Sequence, residues 1–243
     1  FDASVASAIN ANFAAVAKTP DYWVRPQASS TVQTGSYTSP FGSLALARPV
    51  MEPGVVIGID GVLREQFATP LGVNNVTLLG QSNVPRQATT SGVPNGGGAT
   101  WLVPSSGVSA SSALLRVQGQ GWTVANILMN STSITSNGAI EPHTVGDPPL
   151  EADGAHLLIY NCILTGAKYG IYCPTGTNYV RMVGGEIFGF SDSGDVAIQA
   201  TGSIGTLLDW YLVGVKMFNN ANQIVAAATH WTVTGCTIEA GTA

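Results

Sequence analysis

The hydrophobic pattern in the second half of the chain repeats in five stretches, each aligned on an Asn or Gly that we number position zero. These five residues are Asn126, Asn161, Gly184, Gly214 and Gly235. Positions −4, −2 and +3 are apolar in every stretch, and the −4 residues are Trp122, Leu157, Val180, Trp210 and Trp231. Alternation with a period of two predicts a short strand on each side of position zero, with both strands turning the same face inward.

Position zero predicts the corner between these two strands, because Asn and Gly adopt left-handed backbone geometry at the least cost. Successive position-zero residues lie 35, 23, 30 and 21 residues apart. Such spacing suits solenoid coils whose length differences fall in loops. The sequence therefore predicts an all-β fold, a single-stranded right-handed parallel β-helix of about eight coils, and the handedness follows the general rule for parallel crossovers.

Residues between the aligned stretches predict loops. The segment Ser131–Asp153 is rich in Ser, Thr, Gly and Pro, and we expect it to protrude as a loop, with a second turn at Ser191–Asp195. Upstream of Gly80 the apolar pattern fits, but the residues that follow it break the pattern. We expect the chain between Gly80 and Asn126 to form two coils, with Trp101 in a strand.

The N-terminus predicts a different element, a short α-helix over residues 3–18. Asp2 is a suitable N-cap, and Pro20 ends the helix. One apolar stripe runs along it, formed by Val5, Ile9, Phe13 and Val16. The stripe must dock on the solenoid end, a sister helix or a partner. We therefore divide the chain into an attachment segment, residues 1–20, and a β-helix domain, residues 21–243.

Two segments resemble known families. Residues 53–65 read P-G-V-V-I-G-I-D-G-V-L-R-E, and they follow a Pro-Phe-Gly stretch at residues 40–42. This opening resembles that of pectate-lyase-like right-handed β-helix proteins, which implies the same fold and a small helix before it. The superfamily includes lyases, hydrolases, esterases, adhesins and phage proteins, so it implies no single activity. Residues 9–16 are similar to a segment near the start of many tailed-phage fibre, spike and other virion proteins.

Outward positions of the predicted strands carry apolar side chains. The set is Leu158, Tyr160, Ile163, Val183, Tyr211 and Val213. A soluble monomer rarely exposes so much contiguous apolar surface. We predict that several copies pack laterally through these residues, most simply three about one axis. The alternative is that another segment of the same chain covers them.

Composition excludes several classes of partner and cofactor. Charged residues make up 9% of the chain and the net charge is −5, whereas binding nucleic acid requires clustered Lys and Arg. No apolar run is long enough for a membrane span. Cys162 and Cys236 both occupy position +1, roughly 14 Å apart over three strand spacings, so we expect free buried thiols. No ligand spacing for a metal or other cofactor appears.

One charged cluster remains as a candidate catalytic site. Glu186 and Lys216 share position +2 of consecutive aligned stretches, and Arg181 lies on the other strand of the same coil as Glu186. Asp192 and Asp195 follow in the next loop. Polysaccharide lyases and hydrolases on this fold use such acids and bases. The favoured interpretation is a cross-strand ion pair on the surface, with no catalytic residues.

The sequence thus favours a structural component of a bacteriophage virion, either a fibre or spike domain or a capsid-surface decoration. It would assemble as a homo-oligomer, with a trimer expected, and contact other virion proteins. The first alternative is a polysaccharide lyase or hydrolase on the same scaffold. The second is a non-catalytic adhesin that binds a host surface glycan, with Tyr160 and Tyr211 stacking on sugars.

Overall fold

The computed structural model describes residues 18–26, 32–81, 99–136, 138–142, 156–166, 168–173, 179–200, 209–226 and 230–239. Within these residues the strands form three parallel sheets of eight, seven and six strands, which we name A, B and C. The predicted helix over residues 3–18 lies outside the described residues but for its last residue. Its stripe residues Val5, Ile9, Phe13 and Val16 lie outside them too.

Each complete coil contributes one strand to each sheet, and successive strands of a sheet come from successive coils and pair in parallel. Sheet A contains β1 (Tyr22–Val24), β2 (Val56–Ile59), β5 (Thr77–Gly80), β8 (Thr123–Ala125), β11 (Leu157–Tyr160), β14 (Val180–Val183), β17 (Trp210–Val213) and β20 (Trp231–Thr234). Sheet B contains β3 (Gly61–Arg64), β6 (Ala99–Leu102), β9 (Ile127–Ser131), β12 (Ile163–Gly166), β15 (Glu186–Phe188), β18 (Lys216–Phe218) and β21 (Thr237–Ile238). Sheet C contains β4 (Phe67–Ala68), β7 (Leu115–Val117), β10 (Gly138–Pro142), β13 (Tyr169–Cys173), β16 (Val196–Ala200) and β19 (Asn222–Ala226). This arrangement is a parallel β-helix, as predicted.

The interior consists of stacked columns of apolar side chains. The position −4 residues lie in one column. Trp122 directly precedes Thr123, the partner of Leu158, and Leu157 pairs with Val180, Val180 with Trp210, and Trp210 with Trp231. The Trp210 and Trp231 rings stack with centroids 4.9 Å apart. One buried apolar cluster extends through the coils and includes residues of all three sheets. The predicted alignment of the −4 residues is confirmed.

The corner from sheet A to sheet B has the predicted left-handed geometry. All five position-zero residues have positive φ, with values of 58° at Asn126, 48° at Asn161, 64° at Gly184 and Gly214, and 62° at Gly235. The side-chain amide of Asn161 also donates a 2.9 Å hydrogen bond to Oδ1 of Asn126 on the preceding coil. Asn at this corner therefore links neighbouring coils as well as allowing the turn.

Sheet C is absent from the sequence-based prediction of two strands per coil. Its β10 lies inside the segment Ser131–Asp153, so the expectation that this whole segment is a loop is wrong. One column of sheet C contains Ile140, Ile171, Ile198 and Ile224. These isoleucines follow position zero by 14, 10, 14 and 10 residues, because the turn from sheet B to sheet C varies in length. Alignment on position zero therefore cannot bring them together.

The chain between Gly80 and Asn126 forms one coil, not the two that we expected. Strand β5 pairs directly with β8, and Ala99 pairs with Ile127. Residues 81–98 therefore separate the strands on either side of this corner, and this insertion displaces the downstream half of the pattern. Trp101 does lie in a strand, β6, where it is fully buried opposite Met129.

The two ends of the described solenoid differ. Near the first coil lies α1 (Leu44–Ala47), capped by Ser43 and anchored by Glu65, whose carboxylate accepts hydrogen bonds from the Leu44 and Ala45 amides at 2.7 and 3.3 Å. At the other end β19, β20 and β21 are the last strands of their sheets. Interior positions there are open, since Val233 is 45% and Ile238 47% exposed. No helix among the described residues has the length and apolarity to cross a membrane.

Candidate functional site

The structure brings Glu186 and Lys216 together, as predicted for position +2. The two residues pair in register on β15 and β18, and Lys216 Nζ lies 3.7 Å from Glu186 Oε1. The lysine side chain is 62% exposed, so water screens the pair and its contribution to stability is below about 1 kcal/mol. The second carboxylate oxygen, Oε2, is buried and has no hydrogen-bond partner among the described residues.

Asp192 and Asp195 form a turn before β16 rather than a cluster with Glu186. The Asp195 carboxylate accepts a 3.2 Å hydrogen bond from the Asp192 amide and lies 3.6 Å from Lys168 Nζ. Burial raises the pKa of Asp195, although the Asp192 amide and the Lys168 charge act in the opposite direction. The carboxylate therefore stabilises the turn from sheet B to sheet C.

Arg181 lies on a different face of the coil that contains Glu186, on β14 of sheet A. Its guanidinium lies 5.3 Å from the centroid of the Tyr211 ring, a distance typical of a cation–π contact. The five charged candidates are thus distributed over sheet A, sheet B and the turn from sheet B to sheet C. Glu186 and Lys216 are the two that the structure places in an ion pair with each other.

The outward apolar residues are less exposed than the sequence suggests. Leu158 and Ile163 are each 5% exposed, so within the single chain these two side chains are already largely shielded from water. Each is flanked within its own column, Leu158 by Thr123 and Arg181. Neighbouring side chains in such a column are about 4.8 Å apart and shield one another. The other four residues, Tyr160, Val183, Tyr211 and Val213, are half-buried.

A second left-handed corner, which the sequence analysis missed, precedes the strands of sheet A. Positive φ occurs at Asn75 (59°), Gly121 (68°), Tyr179 (58°) and Asp209 (32°). Asn75 lies five residues before Gly80, and the other three lie five residues before position zero of their own coil. In the later coils this position carries larger side chains than Gly121 of an earlier coil. We call His156, Tyr179, Asp209 and His230 the histidine corner, since they immediately precede β11, β14, β17 and β20.

Tyr179 is the residue of this corner whose side chain is least expected for a left-handed backbone. A left-handed conformation costs roughly 1–2 kcal/mol for a residue other than Gly, and Asn or Asp tolerates it better than Tyr. The ring of Tyr179 stacks on His156, with centroids 4.5 Å apart and planes 8° from parallel. Strained residues of this kind are concentrated at binding and catalytic sites. The tyrosine ring is therefore a candidate for a functional contact.

A cleft of about 130 Å³ opens beside the two stacked rings. Its lining includes Thr123, His156, Leu158, Tyr179 and Arg181. Rings and the leucine give it apolar walls, whereas the guanidinium, the imidazole and two hydroxyls provide hydrogen-bond donors and acceptors. Pockets for drug-sized molecules are larger, roughly 300–1,000 Å³. This corner cleft therefore has room for one ring-sized unit.

The histidine corner continues beyond the cleft on the next two coils. His230 Nδ1 lies 3.3 Å from Asp209 Oδ1, and the His230 side chain is 76% exposed. Tyr211 lies two residues after Asp209 on the same coil, below the Arg181 guanidinium. Sequence reasoning could have found this site, because its members all stand five residues before position zero.

Thiols and metal-ligand groups give no further site in the described part of the chain. Cys162, Cys173 and Cys236 are free, and burial raises the pKa of Cys162 to about 12. Cys236 is half-buried, not buried as predicted, because it belongs to the last described coil. Among the described residues, no three His, Cys, Asp or Glu side chains group as metal ligands would.

Comparison with known proteins gives a single distant likeness to report. No family model and no curated protein matches the sequence. Among solved structures, the crystal structure of pectate lyase Pel9A aligns with a TM-score of 0.47 and 14% sequence identity. The alignment covers 85% of this chain and 50% of that chain, so this chain spans about half the length of the lyase.

Proposed function

We propose that this chain is a structural component of a bacteriophage virion, a fibre or spike domain or a capsid-surface decoration, and that its histidine corner binds a host surface glycan. The single observation that supports the binding role is the corner cleft, with the stacked His156 and Tyr179 rings and the Arg181 guanidinium at one opening. Sugars bind proteins through apolar ring faces and through hydroxyls that both donate and accept hydrogen bonds. The cleft offers partners for both.

The virion assignment is supported by sequence and composition. Residues 9–16 resemble a segment of tailed-phage virion proteins, and charged residues make up 9% of the chain, against roughly 25% in typical domains. Lateral assembly, which we propose as a trimer, is supported by the position −1 side chains of sheet A, which form a column separate from the position −3 column that lines the corner cleft. Within the eight strands of sheet A the one outward charged residue is Arg181, while Tyr160, Val183 and Val213 are half-buried apolar residues.

A glycan array tests the binding role. The chain should bind at least one oligosaccharide on an array of bacterial capsule and O-antigen glycans, and Arg181→Ala should weaken that binding about tenfold through loss of charge-assisted hydrogen bonds. Arg64→Ala is the matched control, because Arg64 is an exposed arginine on sheet B and its loss should leave binding unchanged. Equal binding by all three proteins, or binding by none, would contradict the proposal.

Glycan cleavage is a second candidate function, favoured by one observation. Among the described residues, Glu186 Oε2 is buried without a hydrogen-bond partner, and the other carboxylate oxygen lies 3.7 Å from Lys216 Nζ, so a carboxylate and an amine stand side by side as they would in an acid–base pair. If this pair is catalytic, incubation with the polysaccharides bound on the array should release reducing ends or unsaturated products. Glu186→Gln and Lys216→Ala should each abolish that release. We expect no release by the unaltered chain, which would leave the pair as a surface contact.

A further inference from the structure

The histidine corner is a straight stripe parallel to the solenoid axis. The strands that follow its four residues are consecutive neighbours in sheet A and pair in register. Parallel strands lie about 4.8 Å apart, so the step from His156 to His230 spans roughly 14 Å along the axis. One coil therefore rises by about the length of one hexose unit in an extended chain. A linear oligosaccharide laid along the stripe would place successive units on successive coils.

Among the described residues, the charges beside this stripe cancel. Arg181 contributes one positive charge at the cleft, and Asp209 contributes one negative charge on the next coil. Each already has a partner, since Arg181 lies over Tyr211 and Asp209 lies 3.3 Å from His230. A polyanion would require an excess of positive charge along its path. The stripe instead offers rings, a carboxylate and donor groups, which match uncharged sugars with hydroxyls.

We infer that the histidine corner binds an uncharged linear oligosaccharide parallel to the solenoid axis. This inference rests on the proposed glycan-binding function and specifies its ligand. One sugar ring occupies the corner cleft against His156 and Tyr179. The following units lie over Asp209 and His230, whose side chains are 29% and 76% exposed. Affinity therefore increases with chain length, and binding depends little on salt because no net charge is neutralised.

The test uses soluble oligosaccharides of glucose, galactose, mannose and N-acetylglucosamine as mono-, di- and tetrasaccharides, with galacturonate and glucuronate oligomers of the same lengths. Binding is measured by calorimetry at low and physiological salt. We expect a neutral tetrasaccharide to bind most tightly, at least tenfold more tightly than its monosaccharide, and equally at both salt concentrations. Preference for uronate oligomers, or equal affinity for all lengths, would overturn the inference while leaving a glycan-binding role intact. Binding of no sugar would overturn both.

Variants distinguish the loss of the Tyr179 ring contact from a loss of folding. Tyr179→Gly removes the ring and suits the left-handed backbone, so the protein should fold and lose binding about tenfold. Asn219→Gly is the matched control, since Asn219 has a φ of 52° at a different corner, and it should bind like the unaltered chain. His230→Ala should weaken tetrasaccharide binding about threefold and leave disaccharide binding unchanged. Equal loss for both lengths would contradict the axial orientation.

Discussion

At the scale of single residues, Glu65 shows how burial competes with hydrogen bonding. Its carboxylate accepts two backbone hydrogen bonds from the start of α1, yet desolvation is the larger effect and raises its pKa above the ordinary value of 4.5. A raised pKa means that ionising this carboxyl group costs more in the folded state than in the unfolded chain. Glu65 therefore opposes folding more strongly once it is charged.

The corresponding prediction concerns the pH dependence of stability. Because the pKa of Glu65 is higher in the folded state, the folded chain binds more protons than the unfolded chain in the pH range between the two pKa values. The Glu65 contribution to the free energy of unfolding therefore declines as pH rises from about 4.5 through the folded-state pKa. Urea unfolding across this range should show the unaltered chain losing stability relative to Glu65→Gln as pH rises. A relative gain by the unaltered chain would mean that the amide hydrogen bonds dominate.

Individual residues also show which features of the structure could be predicted from the sequence alone. The left-handed backbone at Asn126 or Gly184 could be predicted, because Asn and Gly adopt that conformation at low cost. Nothing in a tyrosine indicates the same conformation, so Tyr179 and the histidine corner were missed. Glu186 and Lys216 were paired correctly because strand register follows directly from the alignment on position zero. Arg181 was placed on the correct strand, but its contact with Tyr211 depends on side-chain direction.

At the scale of elements, each strand is stabilised by the coils on both sides of it. Trp210 is fully buried between neighbouring coils, whereas Trp231, in the same column, lies on the last described coil and is half-buried. Trp210→Ala should therefore lower the free energy of unfolding by about 3–5 kcal/mol. Trp231→Ala is the matched control and should cost clearly less. Denaturant unfolding measures both, and equal losses would contradict the stacking of these coils.

Sheets A and B could be predicted from the sequence, whereas sheet C could not. The A and B strands flank a corner of constant geometry, so their apolar residues recur at fixed offsets. Sheet C begins after a turn of variable length, and the Ile140 and Ile171 offsets differ by four residues. The insertion after Gly80, residues 81–98, likewise moves the apolar residues that follow it away from the fixed offsets.

At the scale of the whole molecule, the proposed oligomer depends on the position −1 column of sheet A, which is separate from the position −3 column that lines the corner cleft. Val183 and Val213 pair on adjacent strands and are half-buried in the single chain. Val183→Glu would place an unpaired charge in the proposed interface and should convert the assembly to monomer. Leu46→Glu is the control, because Leu46 is 54% exposed on α1, outside this face. Sedimentation should show the loss for Val183→Glu alone, and an unaltered chain that is already monomeric contradicts lateral assembly.

Partners and symmetry belong to this scale, where a single chain gives the least information. The low charge and the outward apolar residues predict an assembled protein, but Leu158 and Ile163 are covered within the chain itself. A column of side chains shields its members in a way that a residue-by-residue pattern does not show. The corner cleft needed the fold as well, since its lining residues come from three coils.

The most direct test of the proposed glycan binding is a crystal structure of the chain soaked with a neutral tetrasaccharide selected by calorimetry. The proposed role predicts one sugar ring against His156 and Tyr179, with the following units extending along the axis toward His230. Sugar bound instead beside Glu186 and Lys216, or a chain running across the coils rather than along them, would contradict it.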